Sequence, residues 1–105
     1  MRVSVCKAGD VPRDGMVAFD VGGRRVMIAN VQGEYYAICD TCSHAEASLS
    51  EGYLHVGDCT VECPLHNAVF DLKTGEALEF PAEDPVATYP LTVEAGDIYI
   101  EIDGL

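Results

Sequence analysis

Apolar and polar positions alternate with a period of two along much of this chain, and helical periodicity is weak almost everywhere. Near the C-terminal end, Ile98, Ile100 and Ile102 interleave with Tyr99, Glu101 and Asp103, as in a strand with one buried face. Residues 24–31 and 89–93 are rich in β-branched side chains and read as two more strands. Gly22-Gly23, lying between residues 16–21 and 24–31, predicts a tight hairpin turn. Gln32-Gly33 makes a similar break before residues 34–39, and Lys73-Thr74-Gly75 follows a short strand expected over 67–72. Residues 40–57 are less regular, with a short helical turn expected around 46–50. Many short strands with frequent turns predict an all-β fold, an antiparallel sandwich or barrel.

A chain of 105 residues suits one domain with a modest core, to which a bound metal centre could add stability. No repeat, linker or low-complexity segment divides it, so residues 1–105 are expected to form one unit. The first 15 residues are polar and interrupted by Gly9 and Pro12, unlike an export signal. The longest apolar run, residues 35–39, is far too short to span a bilayer. Five cysteines cannot all pair with one another, which favours metal ligation or buried thiols in a reducing cytoplasm over disulfides.

Charge narrows the choice of partners. There are 18 acidic residues against 6 basic ones, a net charge of −12. All the acids except Asp10, Asp14 and Asp20 follow Val26, where Lys73 is the only base. Such a surface repels nucleic acid and anionic membranes. It serves either solubility or the docking of a basic protein, and charge alone does not choose.

Two segments carry the chemistry: Cys42-Ser43-His44 and Cys63-Pro64-Leu65-His66. Thiolate and neutral imidazole both suit iron and zinc, and such short spacers let the two side chains of a segment converge on one centre. Residues 34–39 lead into the first segment and residues 59–62 into the second, so antiparallel strands could set the two loop tips side by side. A structural zinc site competes with this reading, because Cys39-Asp40-Thr41-Cys42 is a C-x-x-C pair. Cys39, Cys42, Cys63 and His66 would then form a Cys3His centre and leave His44 idle. Against it, Cys39 ends an alternating apolar run and is expected to face the core. Cys6 and Cys59 read as small buried residues on strands, and His55 as a surface or turn histidine. No phosphate-binding glycine loop or nucleophile–base motif is present, so no independent catalytic site is expected.

The pattern C-x-H followed by C-x-x-H resembles the Rieske-type ferredoxins, in which two histidines replace two cysteines on one iron. The likeness continues through Ala45-Glu46-Ala47, Leu49-Ser50-Glu51-Gly52, Phe70-Asp71 and Thr74-Gly75, and Pro81 and Pro85 fall where the family has a proline-containing loop over its cluster. The resemblance is especially to the ferredoxin components of bacterial aromatic-ring-hydroxylating dioxygenases, which are free-standing chains of about this length. The resemblance implies a Rieske-like fold with a small cluster-binding part of two loops over about residues 40–82. It implies one [2Fe–2S] cluster, with Cys42 and Cys63 on the inner iron and His44 and His66 on the outer one. It further implies a cytoplasmic, monomeric one-electron carrier between an NAD(P)H-dependent flavoprotein reductase and a terminal oxygenase, itself not an enzyme. The small subunit of a nitrite reductase is the second expectation, and a zinc-stabilised interaction module the third.

One branch of the family, in respiratory chains, has an extra cysteine in each loop and hydroxyl donors beside the cluster. This chain has Ala47 and Leu65 at the cysteine positions, and Ala68 and Phe70 at the hydroxyl positions. No such disulfide can form, and with fewer donors to the reduced cluster a low potential is expected. The tip is expected to be apolar, with Ala45, Pro64, Leu65 and Pro81, and acidic nearby through Glu46 and Glu51.

Overall fold

The computed structural model describes residues 1–42, 47–65, 67–79 and 84–103. Strand β1 (Arg2–Lys7) leads into the two predicted hairpins, made by β2 (Gly15–Val21), β3 (Arg24–Val31) and β4 (Glu34–Cys39). Val21 pairs with Arg24 and Val31 with Glu34, so each turn is two residues long. Gly22 and Gly23 have φ of 60° and 88°, and Gln32 and Gly33 have φ of 53° and 94°. Two successive left-handed residues give the turn whose twist matches a hairpin. Asn30 secures the second turn: its side-chain oxygen accepts the Gly33 N–H at 2.9 Å, and its amide donates to the Val11 carbonyl at 3.1 Å.

A single turn of 3-10 helix at Leu49–Glu51 follows, slightly later than the helical turn expected around 46–50, of which residue 46 lies outside the described residues. Next come β5 (Tyr53–His55), β6 (Thr60–Glu62) and β7 (Val69–Asp71), which form a small antiparallel sheet of their own. The short strand expected over 67–72 is β7.

The run 89–93 is not one strand. β8 (Thr88–Tyr89) pairs with β4, and after Pro90 the chain continues as β9 (Leu91–Glu94) in a different sheet, beside β10 (Asp97–Glu101). Proline has no N–H to give to a ladder, so the pairing changes there. The three sheets have strand orders β1-β10-β9, β2-β3-β4-β8 and β5-β6-β7. The architecture is all-β and antiparallel, as the alternation predicts.

The middle sheet separates two cores. Val26 and Ile28 of β3 pack with Ile98, Ile100 and Ile102 on one side. Met27, Ala29 and Val31, the alternate residues of the same strand, pack with Leu49, Val61, Phe70 and Leu72 on the other. Both faces of β3 are therefore covered, which explains why its sequence is β-branched and apolar without a clean alternation. The second core also contains Cys42, Cys63, Ala47 and Ala68, and so extends directly beneath the two loops.

Candidate metal centre

β4 delivers the chain to Cys42 and β6 delivers it to Cys63, as the spacing of the two segments implies. The two loops then close in the same way. The Cys42 N–H donates to the Ala47 carbonyl at 2.9 Å, and the Cys63 N–H donates to the Ala68 carbonyl at 2.7 Å. Each cysteine thus bonds to the residue five positions on, and in both loops that residue is a buried alanine. Both alanines belong to the core, at the neck of their loop. Asn67, with φ of 57°, supplies the left-handed step that turns the second loop back, a conformation asparagine tolerates. Pro64 keeps Cys63 extended at the end of its strand.

The two necks are packed together. The turn at Leu49–Glu51 ends on Gly52, whose Cα faces the Glu62 carbonyl and the Pro64 ring. As a result Cys42, at 3% exposure, and Cys63, at 0%, come together from separate loops. Their thiols are within hydrogen-bonding reach of one another, both are free, and the Leu65 N–H points at the Cys63 sulfur. Burial pushes the Cys63 thiol above its ordinary range, so as an isolated thiol it would keep its proton. Paired thiols under an apolar floor, one already facing a backbone N–H, fit an iron that takes thiolate sulfur. His44 and His66 lie outside the described residues, as do Ser43, Ala45, Glu46 and Pro81.

Cys39 does not join this pair: no three His, Cys, Asp or Glu side chains converge among the described residues. It ends β4 opposite Val26 and packs against the core, as its place in an apolar run implies. The Cys3His zinc arrangement needs Cys39, Cys42 and Cys63 together, and the fold does not bring them together.

The remaining cysteines and His55 have separate places. Cys6 sits on β1 against the first core, and burial pushes its thiol up to about 11. Cys59, expected on a strand, instead precedes β6 in a turn, with φ of 55°, its N–H donating to the Val56 carbonyl at 3.3 Å. The turn between β5 and β6 needs a left-handed residue there, and the sequence offers no glycine or asparagine at that position as a cue. His55 is the last residue of β5, with Nε2 2.9 Å from Glu62 Oε1 across the strands. Asp40, which no motif or spacing in the sequence distinguishes, is a buried acid at the neck of the first loop.

Comparison with known proteins agrees with this geometry. Residues 1–90 match the family described as Rieske [2Fe-2S] domain. The chain is 52% identical over 101 residues to the 3-phenylpropionate/cinnamic acid dioxygenase ferredoxin subunit of Escherichia coli (strain K12), covering 96% of this chain and 93% of that one. Among solved structures, the ferredoxin of carbazole 1,9a-dioxygenase from Nocardioides aromaticivorans IC177 superposes with a TM-score of 0.91 at 36% identity, over 95% of this chain and 96% of that one. Sphingomonas yanoikuyae B1 ferredoxin gives 0.90 at 32% identity, over 97% and 99%. A third similar chain, 34% identical with a TM-score of 0.84 over 94% of this chain and 91% of that one, comes from a complex of reduced oxygenase and oxidized ferredoxin in carbazole 1,9a-dioxygenase. With its two thiols paired beneath two similarly closed loops, the chain belongs to the Rieske [2Fe–2S] domain family, and its cofactor is one [2Fe–2S] cluster.

Proposed function

We propose that this protein is the ferredoxin of a multicomponent aromatic-ring dioxygenase. It takes single electrons from an NAD(P)H-dependent flavoprotein reductase and passes them to a terminal oxygenase. The observation that carries this reading is the 52% identity, over almost the whole of both chains, to a dioxygenase ferredoxin subunit. Two solved chains whose assignment as nitrite reductase small subunits is itself provisional share the fold at 24% and 21% identity, which speaks to architecture alone.

The cluster supplies the one-electron chemistry, and the chain itself needs no catalytic group. Cys42, Cys63, His44 and His66 would hold the cluster, the cysteines through thiolate sulfur and the histidines through a ring nitrogen, in a single domain of residues 1–105 whose cluster-binding part covers about residues 40–82. Cys42, Cys63, Ala47, Ala68 and Phe70 keep water away from the inner side, and Leu65 at the tip is 50% exposed, facing an incoming partner. Two neutral imidazoles in place of two thiolates make the centre less negative and easier to reduce than an all-cysteine cluster. The protein works as a cytoplasmic monomer.

Purification in air followed by metal and sulfide analysis tests this reading. Two irons and two labile sulfides per chain are expected, with a reduced EPR signal averaging below the free-electron g value. Replacing Cys42, His44, Cys63 or His66 with alanine abolishes the signal, and Cys39→Ala leaves it intact. A colourless protein that loses metal on Cys39→Ala and tolerates His44→Ala would overturn the assignment. Electron delivery from reductase to oxygenase in the reconstituted system then separates a dioxygenase ferredoxin from a nitrite reductase subunit.

A further inference from the structure

Asp40 is the one acidic side chain buried among the described residues, at 1% exposure. A carboxylate in such a place is costly unless it is paired and hydrogen-bonded, and here every side of the residue is engaged. Oδ1 accepts the Ser50 N–H at 2.8 Å, and Oδ2 lies 3.4 Å from Nη2 of Arg25. Its backbone N–H donates to the Arg25 carbonyl at 3.0 Å, and its own carbonyl accepts the Leu49 N–H at 2.7 Å. Asp40 therefore ties the start of β3, the end of β4 and the turn at Leu49–Glu51 into one knot. The neck of the first loop lies inside that knot, where Thr41 bridges Ser48 and Cys42 bonds to Ala47.

The Ser50 bond does not by itself call for a charge, since an asparagine oxygen would accept it equally well. The cation that offsets the charge is Arg25, whose side chain is 53% exposed, so water shares it and the compensation is partial. The negative end stays buried, two residues from Cys42. Reduction adds an electron to a centre on that side of the molecule, and a fixed negative charge in a poorly polarisable surrounding opposes it.

We propose that Asp40, held by Arg25, is a positioning residue for the iron–sulfur centre: it locks the neck of the first ligand loop and favours the oxidised cluster through its buried charge. This rests on the assignment of Cys42 as a ligand. The two parts of the role separate by substitution. Asp40→Asn keeps an acceptor for Ser50 but removes the charge, Asp40→Ala removes both, and Arg25→Gln removes only the compensating cation.

The test is a spectroelectrochemical titration at one fixed pH near neutrality, with iron content and the rate of bleaching measured on the same samples. Asp40→Asn is expected to shift the potential upward with its iron retained, and Arg25→Gln to shift it downward. Asp40→Ala is expected to bleach faster than the parent protein. Potentials of Asp40→Asn and Arg25→Gln equal to the parent's would overturn the electrostatic role, and an unchanged bleaching rate in Asp40→Ala would overturn the positioning role. If Asp40→Asn holds no cluster, Arg25→Gln decides alone: a downward shift supports the proposal, and no shift overturns it. Cys42→Ala run in parallel distinguishes the two assumptions. Iron retained in that variant overturns the ligand assignment and this proposal together, whereas iron lost there with no shift elsewhere overturns the proposal alone.

Discussion

Gly52 stands so close to the Glu62 carbonyl that a Cβ built on it would overlap the oxygen. Backbone meets backbone here, and no side chain can rotate aside. Gly52→Ala must therefore push the turn at Leu49–Glu51 away from β6 and spread the two ligand loops. Overpacking of this kind costs about 1–3 kcal/mol or more, and each kcal/mol lowers Tm by ~4–8 °C in a domain of this size. Thermal melts and iron content check it. Gly57→Ala, where nothing lies within 4 Å, is the control expected to match the parent protein.

Ala68 and Phe70, both at 0% exposure, carry no hydroxyl to donate at the two positions where the resemblance implies donors. The potential is accordingly expected near the bottom of the family range of roughly −150 to +300 mV. Ala68→Ser, one methyl group's place from the Cys63–Ala68 bond, should raise it. Phe70 faces the core beside Val61, so Phe70→Tyr raises the potential only if the new hydroxyl reaches a sulfur, and otherwise lowers Tm by burying an unpaired group. No upward shift in either variant would show that missing donors do not set the potential.

Leu65 is half exposed at the tip of the second loop, with Pro64 half-buried beside it and Glu51 exposed nearby. A small apolar centre with an exposed acid beside it, on a chain of net charge −12, suits brief encounters with basic proteins. Electron-transfer rates at limiting protein should fall as salt rises from ~10 to ~500 mM, since screening shortens the reach of charge from about 30 Å to under 10 Å. Glu51→Lys should slow encounter while leaving the potential nearly unchanged, because a lone exposed charge acts weakly through water. Rates indifferent to salt and to Glu51→Lys would assign the acidic excess to solubility.

Cys6 carries a pH signature distant from the cluster. Burial raises its thiol from 9.0 to about 11, so the folded protein holds this proton more tightly than the unfolded chain does. The resulting stability is fully present below pH 9.0 and is lost as pH rises through about 11. Urea unfolding of the parent protein should weaken between about pH 8 and about pH 10.5 by more than that of Cys6→Ala. Equal losses in the two proteins would remove Cys6 from the account.

Much of the fold is legible in the sequence itself. The isoleucines at 98, 100 and 102 and the glycine turns at 22–23 and 32–33 state their conformations locally, because strand alternation and left-handed turn residues are short-range signals. The spacing of the two Cys/His segments is equally plain: Cys42 and Cys63 meet as it implies, and His44 and His66 lie outside the described residues. Other features depend on neighbours remote in sequence. Residues 89–93 look like one strand, and only the rival claims of β4 and β10 on either side of Pro90 divide them. Cys59 adopts its left-handed turn without being a residue that prefers one. Asp40 looks like any of the 18 acids, since the partners of its side chain, Arg25 and Ser50, are ten or more residues away in sequence. Of the small sheet, β6 and β7 lie within stretches the sequence reads as strands, while β5 is only three residues long, too short for periodicity to reveal it.

The division of β3 between two cores has a consequence for how the protein fails. The iron-binding half possesses no floor of its own: Met27, Ala29 and Val31 beneath it are the reverse side of the strand whose Val26 and Ile28 anchor the other half. A slip of one residue in β3 would exchange the two sets and spoil both halves at once. Neither half can melt and leave the other standing, so the colour of the cluster and the far-ultraviolet signal of the sheets should vanish at one shared midpoint.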